Sequence, residues 1–204
     1  MTGNDMNGSD KLCGDKRLRI IEAAVIVFSR KGFHRAKVEE IAEVAGVGKG
    51  TVYEYFKSKK ELFLEMVLYI HQKYEAIVRQ KLLGVTTFRQ KLQEFFRVSM
   101  DFLRRHKEMA LILLVDHPPV DEDANLLILR KKLQQVMKVS KMVEEAVERE
   151  EIRPVNAKAV AQIILGSLAM VGSQVIFDEE KNESDSKKLE QDVIDIILHG
   201  LTAV

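Results

Sequence analysis

The 204-residue sequence has no Trp, a single Cys, only 3 Pro and 11 Gly. So few chain breakers, with few long runs of β-branched residues, exclude a sandwich or barrel that needs a turn every ~10 residues and favour an all-helical chain. Cys13 has no second thiol, so neither an internal disulfide nor a Cys-based zinc site can form. No stretch approaches ~20 uninterrupted apolar residues, and residues 1–15 lack the apolar run of a secretory leader. The expectation is a cytoplasmic protein with no membrane partner. Hydrophobic residues at 46% and charged residues at 31% are ordinary globular usage, which excludes collagen-like and wholly disordered chains.

Charge of one sign is also scarce overall, at a net +1, but it is unevenly spread. Residues 1–60 hold 12 Lys+Arg against 8 Asp+Glu, whereas residues 61–204 hold 20 against 23. The first quarter of the chain therefore carries the positive charge suited to a polyanion.

After a tail over residues 1–15, Leu18, Ile21, Val25 and Phe28 recur at helical spacing, and Gly32 supplies the left-handed stop. A shorter periodic stretch runs through Val38, Ile41, Ala42 and Ala45, breaks at Gly46-Val47-Gly48, and resumes from Lys49 to Phe56. Two short helices joined by a three-residue, glycine-containing turn form a helix-turn-helix. Ser58 and Glu61 then read as a capping box opening a long helix through Leu62, Met66, Tyr69, Ile70 and Ile77. Further helices are expected at about 88–105, 107–117, 122–151, 156–177 and 188–201, with Pro118-Pro119 and Pro154 as breaks and a polar loop at 178–187. The count is about nine helices and no strand. The change in charge balance divides the chain into the tail, a helix-turn-helix unit at 16–60 and a larger helical unit at 61–204.

The stretch from Gly32 to Lys59 carries the chemistry. Ile41, Ala42, Ala45, Val47, Val52 and Phe56 are small or apolar where short helices must cross closely. Gly48 is expected to provide the tight entry into the second short helix, leaving its first N–H groups free to face phosphate. Lys49, Gly50, Thr51 and Tyr53 fall on the leading part of that helix, where a recognition helix meets base edges in the major groove. Lys49 can donate to guanine, Thr51 offers a hydroxyl and a methyl, Gly50 permits close approach, and the Tyr53 and Tyr55 hydroxyls suit phosphate oxygens.

This pattern resembles the DNA-binding domain of the TetR family of transcriptional regulators over about 45 residues. The resemblance implies DNA contacts from Thr51, Tyr53, Tyr55 and Lys59, with Lys49 and Gly50 at positions that vary with operator sequence. One departure is Ala36-Lys37 at the start of the first short helix, where the family usually has Thr or Ser. Lys37 still reaches a phosphate, but a lost cap costs ~1 kcal/mol. Glu54 has no assigned role.

Other chemistries fit poorly. Gly46-Val47-Gly48-Lys49-Gly50-Thr51 lacks the spacing of a phosphate-binding loop and follows a helix rather than a strand. His34, His71, His106, His117 and His199 show no metal-ligand spacing, and no nucleophile, histidine and acid set marks a catalytic centre. Neither a metal, a cofactor nor an enzymatic activity is expected.

The larger unit is rich in Phe and Met, adaptable material for an apolar or amphipathic effector such as an acyl chain or a hydrophobic xenobiotic. The expected effector contacts are Met66, Tyr69, Phe96, Met100, Leu113, His117, Met170 and Gln174. Gly166, Ser167, Ala169, Gly172 and Ser173 form a small-residue face, and Val193, Ile196 and Ile197 belong to an aliphatic stripe on the last helix. The resemblance implies that this helix pair builds a four-helix homodimer interface, with Gly166, Ala169, Gly172, Ser173, Val193, Ile196 and Ile197 within it. Two paired recognition helices imply an approximately palindromic duplex operator. The resulting expectation is a ligand-responsive transcriptional repressor. The alternative is a small-molecule-binding or scaffold protein with a vestigial DNA-binding head.

Overall fold

Every regular element is a helix in the computed structural model, which describes residues 8–114, 121–177 and 183–200. The order is α1 Gly8–Arg35, α2 Val38–Ala45, α3 Lys49–Tyr55, α4 Lys59–Leu82, α5 Phe88–Arg105, α6 Lys107–Leu114, α7 Glu122–Glu148, α8 Ala157–Phe177 and α9 Glu183–His199. The tail expectation lies outside the described residues for positions 1–7, and backbone helix is present from Gly8. The final helix begins within the expected 178–187 loop, of which residues 178–182 are outside the described set. None of the described helices is long and apolar enough to cross a membrane.

The head is built by α1, α2 and α3 together with the first turns of α4. Periodic Ile20, Ile21, Ala24 and Phe28 turn one face of α1 inward. Gly32 then breaks the helix, with φ 71° and ψ 168°, and lets the chain turn toward α2. Val38, Ile41, Ala42 and Ala45 bury the inner face of α2, and Val52 and Phe56 do so for α3. The rings of Phe28, Phe33 and Phe63 form a cluster, with Phe63 edge-on to both partners at 5.2 Å between centroids. Such edge-to-face pairs add ~0.5–1.5 kcal/mol beyond burial. Leu62 and Phe63 lie just past the 16–60 division read from charge, yet they are fully buried within this head.

The turn between α2 and α3 corrects one sequence expectation. Gly46 adopts the left-handed conformation at φ 65°, and the Val47 N–H closes back on the Ala42 carbonyl at 3.0 Å. Gly48 instead has φ −72° and ψ 150°, an extended conformation that directly precedes α3. Only Gly46 therefore needs its missing Cβ for backbone freedom. The start of α2 recovers part of its missing cap in a different way. Glu40 accepts a hydrogen bond from the Lys37 backbone N–H at 3.2 Å, the returning half of a capping box.

Ser58 caps α4 by accepting from the Glu61 N–H at 3.1 Å, while the Glu61 carboxylate takes the Lys57 N–H at 2.7 Å. From there α4 continues into the larger unit and packs on α5, α6 and α7. Leu92, Phe96 and Met100 of α5 and Ile164 and Leu168 of α8 extend the same core. The apolar stripe of α7 divides in two. Val139, Val143 and Ala146 are buried, whereas Leu126, Leu129, Leu133 and Met137 are about half exposed or more.

Candidate functional site

The leading turn of α3 projects outward from the head. Lys49, Gly50 and Tyr53 are exposed, Thr51 and Tyr55 half-buried, and no side chain caps the helix. A Cβ added at Gly50 would meet nothing within 4 Å. Lys49 leans over the Tyr53 ring at 5.9 Å and forms an ion pair of 2.6 Å with Glu39 on α2. That hydrogen bond holds the Glu39 carboxyl below its usual range. Lys37 is exposed beside the same surface.

Lys59 is engaged elsewhere. Its ammonium donates to the Ala36 carbonyl at 3.0 Å and the His34 carbonyl at 3.4 Å, and lies 4.6 Å from the Phe33 ring centroid. An ammonium has three donors, so Lys59 clamps the α1–α2 turn with two and retains one. Neighbouring Lys60 reaches the other way, pairing with Asp121 at 2.5 Å and Asp123 at 2.9 Å. Asp121 is itself the cap of α7, accepting from the Ala124 N–H. The head is thereby tied to the start of α7.

A cavity of about 480 Å³ opens among α4, α5, α6, α7 and α8. Its wall is mainly aliphatic, including Val67, Leu103, Ile112, Ile128, Leu165 and Leu168, with a few polar groups from His71, Tyr74, Ser99, Asn125, Lys132 and Gln135. This size and this mixture suit a small amphipathic molecule. His71 is held below its ordinary pKa by burial first and by Lys131 and Lys138, with Glu75 opposing. This favours the neutral imidazole, which can both donate and accept.

Tyr74 is buried, its hydroxyl 2.7 Å from Ser99 Oγ, and burial pushes its pKa up to about 12. Ser99 in turn donates to the Phe95 carbonyl at 2.6 Å. With Ser99 facing that carbonyl, Tyr74 donates to Ser99. Ser99→Ala should cost about 1–3 kcal/mol by stranding the phenol, and Tyr74→Phe in the same background should recover most of it. Urea denaturation of the two variants measures this, and an additive double variant would refute the coupling.

The effector residues expected from sequence are distributed differently. Met66, Phe96 and Met100 are completely buried core. Tyr69 bonds Glu22 through its hydroxyl at 3.0 Å, Gln174 is half-buried, and none of these lines the cavity. The side chain of Leu113 and all of His117 lie outside the described residues. Fully buried Met and Phe are ordinary core filler, and composition alone cannot separate them from a cavity wall. What sequence reasoning missed was the polar set on the cavity wall, half-buried His71 and Gln135 with exposed Asn125 on α4 and α7, whose signal was a polar residue inside an apolar stripe.

Gly166 and Ala169, expected at a dimer interface, border the cavity. Gly172 is buried, Ser173, Val193 and Ile197 are half-buried, and Ile196 is exposed. Met170 belongs instead to an outer stripe of α8 with Ile163 and Phe177, spaced by seven residues and 57%, 65% and 63% exposed in the order Ile163, Met170, Phe177. Among the described residues no group of three or more His, Cys, Asp or Glu side chains is placed to hold a metal.

Residues 20–66 match the family model described as bacterial regulatory proteins, tetR family. The chain is 25% identical over 196 residues to the fatty acid metabolism regulator protein of Bacillus subtilis, covering 91% of this chain and 95% of that protein. The fold is that of the fatty acid degradation regulator FadR from Bacillus halodurans, with a TM-score of 0.81, 24% identity and coverage of 93% and 97% of the two chains. It is also similar to FadR from Bacillus subtilis, solved in complex with stearoyl-CoA, at a TM-score of 0.79 and 22% identity, covering 91% of this chain and 99% of that one.

Proposed function

Because this chain belongs to the TetR family of bacterial regulatory proteins, we propose that it is a cytoplasmic transcriptional repressor whose hold on a palindromic operator is released by a long-chain acyl-CoA. The single observation that carries the DNA-binding part is the uncapped, outward leading turn of α3, where Lys49, Gly50 and Thr51 precede exposed Tyr53. Lys49, Gly50 and Thr51 read base edges, and Tyr53, Tyr55, Lys37 and the remaining donor of Lys59 hold phosphates. Lys49 must leave Glu39 to do so, an exposed pair that is cheap to break. Residues 16–60 with the first turns of α4 act as the DNA-binding unit and the rest as the effector and dimerisation unit.

The effector assignment is supported by the aliphatic cavity with its few polar groups and by the stearoyl-CoA complex of the Bacillus subtilis relative. The homodimer is supported by the outer stripe of α8, where Ile163, Met170 and Phe177 repeat at coiled-coil spacing, and by exposed Ile196 on α9. A second copy covers this stripe and pairs the two heads. No reaction is assigned to the protein.

The test is fluorescence anisotropy with double-stranded fragments selected from the source genome, at several salt concentrations, with and without palmitoyl-CoA. The expected result is a DNA affinity that falls steeply with salt, by about 0.9 log unit per log of salt for each phosphate neutralised, and that weakens further as palmitoyl-CoA is added. Duplex binding insensitive to palmitoyl-CoA would overturn the effector assignment. Palmitoyl-CoA binding by a protein that ignores every duplex would favour the vestigial-head alternative.

A further inference from the structure

Beside the aliphatic cavity, a second and wider groove of about 820 Å³ runs between the C-terminal half of α4, the start of α5 and the C-terminal half of α7. Tyr74 and Gln135 line both spaces and form the wall between them. The chemistry changes across that wall. The groove carries four cations, Arg79, Lys91, Lys138 and Lys141, against two carboxylates, Glu75 and Glu145.

The carboxylates are already satisfied. Glu75 pairs with Lys138 at 2.7 Å and Glu145 with Lys91 at 3.3 Å. Arg79 and Lys141, both exposed, have no ion-pair partner among the described residues. The groove therefore holds a local excess of two positive charges next to an aliphatic cavity. A simple fatty acid has one negative charge and no use for a second, separate basic groove. A thioester of a phosphate-bearing carrier has both an apolar chain and a multiply charged head.

We infer that the groove is the head-group subsite for the acyl-CoA class of effector proposed above, with Arg79 and Lys141 taking its phosphates while the chain fills the cavity beyond Tyr74 and Gln135. The inference rests on the acyl-CoA reading and adds the location and residues of a second subsite. Guanidinium and ammonium groups are both phosphate ligands, the first through paired donors and the second as a point charge. The competing use of the groove is apolar, since Val78, Leu82 and Met142 also line it and a long chain could cross the wall into it.

Calorimetric titration of the full chain with palmitoyl-CoA and, separately, with palmitate distinguishes these uses. In the R79A/K141A double variant, palmitoyl-CoA affinity should fall about tenfold and lose much of its salt dependence, while palmitate affinity stays within twofold of the starting protein. The charge-preserving R79K/K141R variant should recover most of the loss. Lys141→Ala alone provides a milder version should the double variant fold poorly. Unchanged palmitoyl-CoA affinity in folded R79A/K141A would overturn the subsite and leave the acyl-CoA reading intact. An equal loss for palmitoyl-CoA and palmitate would assign the groove to the chain and overturn the subsite as well. A starting protein that binds no palmitoyl-CoA would remove the reading and the subsite together.

Discussion

Phe63→Ala should destabilise the protein by about 3–5 kcal/mol, the range for truncating a buried phenylalanine. Phe63 is only 1% exposed and meets both Phe28 and Phe33 edge-on. It also sits one turn into α4, so its ring joins the helix leaving the head to the helix that enters it. Removing it empties the point where three segments meet. Against a typical domain stability of ~5–15 kcal/mol, this loss should depopulate the folded head measurably, and duplex binding should weaken in proportion. Phe63→Leu retains most of the volume and should cost under ~1.5 kcal/mol. Chemical denaturation with circular dichroism gives both numbers. A cost below ~1 kcal/mol for the alanine variant would mean that the aromatic cluster is not what fastens α4 to the head.

Gly50→Asp should move stability and DNA binding in opposite directions. Gly50 lies in the first turn of α3, its backbone is helical, and a Cβ there has open space. Aspartate loses less backbone entropy than glycine, and its carboxylate interacts favourably with the N-terminal end of the helix, typically by 0.3–1 kcal/mol. The variant should therefore fold at least as well as the starting protein. The same carboxylate faces the phosphates of a docked duplex, where like-charge juxtaposition costs several kcal/mol. Operator affinity should fall on the order of 100-fold with no loss of thermal stability. Near-normal binding by the variant would show that the leading turn of α3 does not approach DNA.

Local rules sufficed to read the head, because its information is local. Gly32 breaks α1, Ser58 caps α4, and the small and apolar pattern from Val38 to Phe56 leaves few ways to pack two short helices. Even there, assigning the left-handed turn to Gly46 rather than Gly48 required φ values, since both glycines fit the composition of the turn. Lys59 marks a second limit. A lysine at the start of α4 can face phosphate or reach back to the His34 and Ala36 carbonyls, and only the crossing of α1 decides between them.

The larger unit was legible as helices and much less as a site. The span 88–105 coincides with α5 because its amphipathic face is strong and Thr87 caps it. Cavity walls, by contrast, are set by which apolar side chains fail to meet. Met66, Phe96 and Met100 meet their neighbours and are core, while Ile128 and Leu165, no different in composition, border empty space. Neighbouring residues of α8 serve two surfaces, with Gly166 and Ala169 at the cavity and Met170 on the outer stripe, a division that depends on helix rotation alone.

The Lys60 link to Asp121 and Asp123 binds the opening of α4 to the opening of α7, and α7 contributes a wall to both the cavity and the basic groove. A displacement of α7 that disfavours the operator-competent head is subject to thermodynamic reciprocity: the operator must disfavour that displacement by the same factor. For the acyl-CoA-released repressor proposed above, molecules already seated on the operator would thus be the least sensitive to rising effector and those diffusing free would fill first, so that free protein would buffer the signal before transcription responds.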